Sequence, residues 1–283
     1  MNSSIENCLS CPECTSGELK LTFDQMVCSS CNKKYNYNNG KYLFIEVDEG
    51  HVNDSLDKIK YKLKKYSKLY NFLIELVSPV YVTNQTRNFV KKYIESKENI
   101  VAINLGSGSS RISPQIINVD LFAYEQVDIT CDLTKKLPFK DSSVDVVMNI
   151  AVLEHIPEPE KVVAEIHRVL KKGGIVYSLF PFMQGFHASP YDYTRRTYEG
   201  MKTLYKDYEI IEIVNSSGPT SGILWVFQEW IAILLSFGSK KLHSYIYILI
   251  MLLTFPIKFL DIILIHHPLA KNISSSFTMT ARK

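Results

Sequence analysis

The sequence predicts an α/β protein in which a mostly parallel sheet is covered by helices on both faces. Short apolar runs alternate with helical stretches over residues 99–218, which is the pattern of such a sheet. A cysteine-rich segment precedes this region, and an unusually apolar segment over 219–270 precedes a last strand-like run. We therefore expect a small metal-binding module over 1–47, a helical connector over 53–98 and the α/β domain over 99–283.

Composition and charge narrow the class of protein. The chain has 283 residues, of which 46% are apolar and 22% charged, so it can bury a sizeable core and is not a disordered protein. A net charge of +3 does not by itself indicate nucleic acid, which is not an expected partner. The first eleven residues have neither the basic nor the apolar region of a secretory signal, so we expect a cytoplasmic protein with reduced cysteines.

The N-terminal module contains two Cys-x2-Cys pairs, Cys11/Cys14 and Cys28/Cys31, which are separated by thirteen residues. Each pair turns tightly enough to aim two thiolates at one ion, and four thiolates make a closed tetrahedral site. We expect a structural zinc ion there, because metal binding supplies folding energy to a segment too short for its own core. The segment resembles a zinc ribbon. Cys8 is expected to be a spare thiol, and reduced cysteines without metal are the alternative.

The connector is expected to be helical because apolar residues recur at helical spacing before Pro79 ends the run. Its part over 55–70 also carries six lysines: Lys58, Lys60, Lys62, Lys64, Lys65 and Lys68. A solvated helix face is one interpretation of these lysines. Attraction to anionic lipid or RNA is the other.

The run Asn99-Ile-Val-Ala-Ile-Asn-Leu predicts a buried first strand that ends in Gly106-Ser-Gly108. Glycines at that point let the backbone turn sharply and approach a ligand closely. A second apolar run ends in Asp120, and an acid there suits the two hydroxyls of a ribose. Only eight residues, 109–116, link the turn to this strand, which is too few for a crossover helix.

Several further motifs follow in order: Val127-Asp-Ile, Asp132-Leu with Leu137-Pro-Phe, Val144-Asp-Val-Val-Met-Asn-Ile-Ala, Val152-Leu-Glu-His and Arg168-Val-Leu-Lys-Lys-Gly-Gly. Together they resemble the class I S-adenosylmethionine-dependent methyltransferases of the "type 11" group over roughly 100–215. The resemblance implies a Rossmann-like sheet of seven strands and S-adenosylmethionine as the cofactor. It also implies that Gly106 and Gly108 pass under the methionine part, with Asn104 as a neutral acceptor where the family usually has an acid.

The other cofactor contacts that the resemblance implies lie at the ends of the second, third and fourth strands. Asp120 would bind the ribose, Asp132 the adenine amino group, and the fourth strand would end beside the sulfonium. The implied residues are Asp120, Leu121, Asp132, Leu133, Asn149 and Ala151.

The segment after the fifth strand resembles an H-x-x-P-x-D-x-x-R-x-T block found in a subset of these methyltransferases. It leaves the carboxyl edge of the sheet, where ligands of open α/β sheets bind. We expect His187 to be a general base, Asp192 its orienter or a second carboxylate, and His155 a second candidate base. Arg195 and Arg196 are candidates to hold a phosphate or carboxylate of the acceptor, with a structural ion pair as the alternative.

The insert over 219–270 replaces a connection that the family makes with a short hairpin. Its apolar runs, 223–237 and 245–257, are each shorter than the ~20 residues that span a bilayer, and the last strand must return to the sheet. We expect a helical hairpin that lies in the membrane interface. The alternative is a hydrophobic cap or dimer contact on a soluble enzyme.

These features predict an S-adenosylmethionine-dependent methyltransferase that acts by O-methylation on a small-molecule or lipid-linked saccharide acceptor. The finer expectation is peripheral contact with the inner face of the cytoplasmic membrane. Methylation of ribosomal or transfer RNA and a catalytically silent, cofactor-binding adaptor are the alternatives. An NAD-dependent oxidoreductase is least favoured, because the Asp132-Leu and Leu-Pro-Phe motifs have no role in that chemistry.

Overall fold

The computed structural model describes residues 2–14, 17–45, 76–187 and 191–283. The lysine-rich helix expected over 55–70 therefore lies outside the described residues. So does most of the expected connector, of which the part from residue 76 onward is described.

The described residues form one sheet of eleven strands, in the spatial order β1-β2-β3-β4-β7-β6-β5-β8-β9-β11-β10. The strands are β1 (Leu19–Leu21), β2 (Gln25–Cys28), β3 (Lys34–Asn38), β4 (Lys41–Leu43), β5 (Ala102–Leu105), β6 (Ile116–Asp120), β7 (Ile129–Thr130), β8 (Val144–Ile150), β9 (Leu170–Pro181), β10 (Glu209–Ser217) and β11 (Ser276–Arg282).

The seven strands from β7 to β10 in this order make up the predicted sheet. Strands β7, β6, β5, β8 and β9 are parallel to one another, and β11 runs antiparallel between β9 and β10. Every residue of β5 and β6 is buried, as expected for parallel strands that are covered on both faces. The residues between β5 and β6 form turns and bends without a helix, which confirms the prediction for 109–116.

Helices cover both faces of this sheet, and others form the insert. They are α1 (Asn2–Cys8), α2 (Gln85–Val90, continued by a π-helical turn over Lys91–Glu95), α3 (Pro159–Val169), α4 (Tyr198–Leu204), α5 (Pro219–Ser236), α6 (Lys240–Thr254) and α7 (Asp261–Leu264). On one face, Phe89 and Ile94 pack with Ala102 and its neighbours. On the other face, α3 and α4 pack through residues such as Ile166 and Met201. The core therefore has two layers, as the sequence predicts.

The N-terminal module continues the sheet instead of standing apart from it. Tyr42 and Leu43 of β4 pair in parallel with Ile129 and Thr130 of β7. Without β4, the short strand β7 would present its unpaired backbone groups at the edge of the sheet. The module predicted over residues 1–47 is therefore part of the same sheet as the α/β domain and does not form a sheet of its own.

The insert is helical, as predicted, and α5 packs against α6. One helical segment, Lys240–Leu264, has 25 residues with a mean hydropathy of 2.1, so by length and composition it could cross a membrane. The sequence predicts an apolar run that ends at Ile257, whereas the helical segment in the structure continues to Leu264. The helical path continues because Lys258 and Asp261 are buried and partnered, so their charges do not end it.

Candidate functional site

The glycine turn follows β5 at the carboxyl edge of the sheet. Gly106 and Gly108 have φ angles of +65° and +62°, a left-handed conformation that glycine adopts without strain. At Gly106 a Cβ atom would also lie 2.5 Å from Cγ2 of Val152. Both glycines are therefore required by the backbone, and the first also by close packing.

Asp120 ends β6 beside this turn. Its carboxylate is 7% exposed. One oxygen, Oδ2, accepts a hydrogen bond from the backbone N–H of Gly108 at 2.8 Å, and Oδ1 accepts one from Phe122 at 3.0 Å. The carboxylate thus ties the glycine turn to the end of the second strand, and each oxygen keeps a further lone pair for a ligand. Leu121, the next residue, is 40% exposed at the same edge.

Asp132 lies two residues beyond Thr130, which pairs in register with Asp120. Its Oδ1 accepts hydrogen bonds from the backbone N–H and the hydroxyl of Thr134, at 2.9 and 2.7 Å. Burial raises the pKa of the Cys131 thiol, and the carboxylates of Asp132 and Asp120 raise it further. Both carboxylates therefore lie near one thiol, at one edge of the sheet. Leu133 is buried beside them.

Two buried amides at this edge have unused hydrogen-bonding atoms within the described residues. Asn104 is 4% exposed and its Oδ1 has no hydrogen-bond partner. Asn149 accepts a hydrogen bond from Ser178 at 2.7 Å, but its Nδ2 has no partner. Asn149 pairs with Leu105, the residue after Asn104, so the two amides point to opposite faces of the sheet. Buried polar atoms of this kind normally have a partner, and a ligand can supply it.

Ala151 follows β8 with a φ of +53°. This left-handed conformation costs an alanine about 1–2 kcal/mol, because its Cβ approaches the following carbonyl oxygen. Its backbone N–H donates to the carbonyl of Leu179 at 3.1 Å. Strain of this kind is concentrated at functional sites.

A buried carboxylate lies between the two histidines that the sequence singled out. Glu154 has no exposed surface and belongs to a single 3-10 turn, Leu153–His155. Its Oε1 lies 3.8 Å from Nε2 of His155 and 3.7 Å from Nε2 of His187. The Val-Leu-Glu-His motif in the sequence does not by itself assign a role to this glutamate. The only local signal was an acid directly before a candidate histidine.

The other ring nitrogens of the two histidines face backbone carbonyls. Nδ1 of His155 lies 2.6 Å from the carbonyl oxygen of Tyr191, and Nδ1 of His187 lies 3.1 Å from that of Gly185. The two rings are 5.4 Å apart in an edge-to-face arrangement. The nearby Glu154 carboxylate raises the pKa of His187 above its ordinary value, although burial opposes this.

Asp192 holds the loop that carries His187. Its side chain is 2% exposed, accepts the backbone N–H of His187 at 2.8 Å and forms a two-pronged ion pair with Arg195. Burial raises the pKa of Asp192, but the hydrogen bonds from Arg195 and from His187 lower it below its ordinary value. Asp192 Oδ2 is 3.9 Å from Nδ1 of the imidazole. It therefore orients His187 through the backbone, while Gly185 holds the ring.

The structure does not bring Arg196 to this cluster. Its guanidinium pairs with Glu160 of α3, which is the structural ion pair that the sequence left as an alternative. Trp225 of α5 is a neighbour that the sequence does not predict. Its ring lies 5.6 Å from that of His187, and a Cβ at Gly185 would lie 2.8 Å from its Nε1. The insert thus contributes a side chain to the cluster.

The four cysteines of the two Cys-x2-Cys pairs converge at the other end of the sheet. The Sγ atoms of Cys11 and Cys31 are 3.7 Å apart, and those of Cys14 and Cys28 are 3.5 Å apart. Four thiolates around one zinc ion at about 2.3 Å lie about 3.8 Å from one another, so the spacing fits. All four Sγ atoms are within 4.8 Å of one another.

Two neighbours of this cluster are informative. A Cβ at Gly17 would lie 2.0 Å from Sγ of Cys28, so the glycine makes room for the thiolates. Cys8 is outside the group, since its thiol donates to the carbonyl of Ile5 at 3.0 Å. Burial raises the pKa of this thiol to about 11. These contacts agree with the expectation of a spare thiol.

Comparison with known proteins gives the class of the central region. Residues 86–178 match the family described as "Methyltransferase domain". The sterol 4-C-methyltransferase of Caenorhabditis elegans is 29% identical over 140 residues, which are 41% of this chain and 40% of that protein. A "probable S-adenosylmethionine-dependent methyltransferase" of Mycolicibacterium smegmatis is 44% identical over 52 residues, 18% of this chain and 20% of that protein. This chain thus spans well under half the length of either relative.

Among solved structures, phosphoethanolamine N-methyltransferase 2 of Haemonchus contortus is similar at 18% identity and a TM-score of 0.46. That similarity covers 78% of this chain and 59% of the other. Residues 86–178 thus match a methyltransferase domain, and they contribute strands to the seven-stranded sheet described above.

Proposed function

We propose that this chain, with its class I methyltransferase domain, transfers the methyl group of S-adenosylmethionine to an oxygen atom of a small-molecule acceptor. The proposal depends on one observation: the residues proposed to bind the cofactor and the acceptor lie at the same edge of the sheet. The glycine turn and the carboxylates of Asp120 and Asp132 lie at the carboxyl ends of β5 to β7, and Glu154 and His187 follow the next two strands.

The cofactor side has groups that fit S-adenosylmethionine. Asn104 offers an unpaired buried acceptor for an ammonium group, and Asp120 offers lone pairs for ribose hydroxyls. Asp132 would accept from the adenine amino group, Leu121 and Leu133 would pack on the ring, and Asn149 and Ala151 would flank the sulfonium. When bound, S-adenosylmethionine supplies an electrophilic methyl group.

The acceptor side favours oxygen. An enzyme that methylates a hydroxyl has to align it, exclude water and let its proton leave. Glu154, His155 and His187 present one carboxylate and two ring nitrogens to a common point, and Arg195 with Asp192 fixes the loop of His187. These groups accept hydrogen bonds from a hydroxyl, so we assign the acceptor oxygen to this point.

The insert supports an apolar or lipid-linked acceptor. Its helices expose large apolar side chains, among them Trp230, Phe237, Leu253 and Ile263, while Trp225 on the same hairpin contacts His187. The relative from C. elegans is named for a sterol, which is an apolar small molecule. We propose that the hairpin lies in the cytoplasmic face of a membrane and that the acceptor, a lipid-linked saccharide or a similar molecule, reaches the cluster from there.

The proposal also includes a metal ion at the N-terminal cysteines. Cys11, Cys14, Cys28 and Cys31 would hold one zinc ion with a structural role, because four thiolates leave no open position for a substrate. Nucleic acid is not required as a partner for any of these groups.

Replacing Asp120 by asparagine tests the cofactor side. Asparagine has one acceptor oxygen instead of two and no charge, and hydrogen bonds to charged groups contribute about 1.5–3 kcal/mol, so S-adenosylhomocysteine should bind about 10- to 100-fold more weakly. Isothermal titration calorimetry measures this. Glu209→Gln, at the exposed amino end of β10, is the matched control and should bind normally. Absence of any heat with wild-type protein at high micromolar ligand would refute the proposed function.

A further inference from the structure

Glu154 is the most unusual side chain of the described residues. Both of its carboxylate oxygens are buried, and neither has a hydrogen-bond partner at ordinary distance. A buried carboxylate is costly unless hydrogen bonds, an ion pair or a metal ion stabilise it. The protein therefore either leaves this group uncompensated or provides a positive partner for it.

The tautomers of the neighbouring histidines indicate what that partner is. Each Nδ1 lies at hydrogen-bond distance from a carbonyl oxygen, of Tyr191 for His155 and of Gly185 for His187. A carbonyl accepts, so each Nδ1 carries a proton, and in the neutral ring Nε2 keeps its lone pair. Metal-binding histidines commonly show this arrangement, in which a backbone carbonyl fixes the ring and the other nitrogen binds the ion.

The three free ligand atoms lie close enough for one ion. Oε1 of Glu154 is 3.8 and 3.7 Å from the two Nε2 atoms, and all three atoms are within 4.8 Å of one another. Ligand atoms at about 2.1 Å around one tetrahedral ion are about 3.4 Å apart, so a small contraction is sufficient. The histidine side chains are 16% and 29% exposed, which leaves an opening for a further ligand.

The charges around this point also favour a cation. Arg195 lies 3.2 Å from Nδ1 of His187, but it is paired with Asp192 and donates to the carbonyl of Gly185. That pair is neutral, and a histidine binds a metal ion as a neutral imidazole, so the carboxylate of Glu154 would give the metal site one net negative charge.

We propose that Glu154, His155 and His187 bind one divalent first-row transition-metal ion. Imidazole and carboxylate ligands suit such ions, and three protein ligands leave a position open. The role of that open position rests on the proposed function: the acceptor hydroxyl would occupy it. Coordination would lower the pKa of a bound hydroxyl, so its proton would pass to solvent. The oxygen would then bond to the methyl carbon as the carbon–sulfur bond of S-adenosylmethionine breaks and S-adenosylhomocysteine leaves.

Mn²⁺ is the probe, because a carboxylate ligand suits it and because it competes poorly with zinc for a four-cysteine site. Full-length protein with its zinc retained is titrated with Mn²⁺, and bound ion is counted by electron paramagnetic resonance. We expect one equivalent to bind. Glu154→Gln and His187→Asn should each weaken binding by about tenfold or more, while Glu209→Gln should have no effect. Circular dichroism checks that each variant is folded.

The outcomes separate the two proposals. If wild-type protein binds no Mn²⁺, or if folded Glu154→Gln binds it as tightly as wild type, the metal site is refuted. Methyl transfer that persists after such a result leaves the proposed function standing with the cluster metal-free. If one equivalent binds but S-adenosylhomocysteine does not, the metal site stands and the proposed function fails.

Discussion

Arg168 shows how one side chain of the Arg-Val-Leu-Lys motif supports the cofactor side. Its guanidinium donates to the carbonyl oxygens of Leu137 and Phe139, at 3.0 and 2.8 Å, and pairs with Glu165 at 2.7 Å. The motif thus fixes the Leu-Pro-Phe segment that follows Asp132. Burial raises the pKa of Glu165, but the hydrogen bonds from Arg168 and from the N–H of Leu137 lower it below its ordinary value.

Arg168→Met should therefore destabilise the protein in a pH-dependent way. A carboxyl group whose pKa is lower in the folded state stabilises that state, and the stabilisation is complete above the unfolded pKa of about 4.3. The stabilisation is lost as the pH falls through the lower pKa of the folded state. We expect a loss of about 2 kcal/mol in the free energy of unfolding at pH 7 and a smaller loss near pH 3. Urea unfolding at both pH values measures this loss.

Lys161→Met, in an exposed pair with Glu158, is the control and should change the free energy of unfolding by at most about 0.5 kcal/mol. Equal losses for Arg168→Met at both pH values would contradict this account.

The residues at the site differ in how far sequence alone identifies them. Gly106, Gly108 and Asp120 follow from a local pattern, since a strand followed by a glycine turn has few other uses. Glu154 does not, because its significance comes from its distance to His187, which is 33 positions away in the chain. Trp225 gives no signal at all before the fold is known.

Among the elements, the hairpin of α5 and α6 is anchored at its base and exposed along its length. Asp261 accepts hydrogen bonds from the N–H groups of Thr220 and Ser221, both at 2.8 Å, at the start of α5. The sequence predicts the hairpin but not these buried partners, because a charged residue in an apolar run resembles an end of the run. Periodicity identifies the helices, whereas tertiary hydrogen bonds decide where they end.

We expect the exposed apolar side chains of this hairpin to bind membranes. Wild-type protein should float with vesicles of phosphatidylcholine and phosphatidylglycerol, and Phe237→Ser combined with Leu253→Ser should reduce binding about tenfold or more, since each large apolar side chain contributes about 1.5–3 kcal/mol when buried. These residues are 90% and 66% exposed, so the fold should be retained. Phe23→Ser, which removes an equally exposed aromatic ring from the N-terminal module, is the control. Wild-type protein that stays with the unbound fraction would exclude the membrane proposal.

In the whole molecule, the cysteine cluster and the cofactor side are parts of one sheet. The N–H groups of Tyr42 and Phe44 donate to the carbonyls of Asp128 and Thr130, both at 2.9 Å, which fixes the strand that leads to Asp132. The sequence predicts the seven parallel and antiparallel strands because buried strands are continuous apolar runs. It does not predict this junction, because backbone pairing between segments some ninety residues apart leaves no pattern in the side chains.

If the four cysteines hold a zinc ion as proposed, its loss should weaken cofactor binding from a distance. Cys28→Ser removes one of the four thiolates, so we expect about one equivalent of zinc per chain in wild type and a clear loss in the variant by mass spectrometry. Because β4 then no longer holds β7, S-adenosylhomocysteine should bind about tenfold more weakly, as replacing supporting contacts of a site typically does. Cys8→Ser, whose thiol lies outside the cluster, should keep both zinc and affinity. If Cys28→Ser loses its zinc and still binds S-adenosylhomocysteine as wild type does, the pairing of β4 with β7 plays no part in holding Asp132.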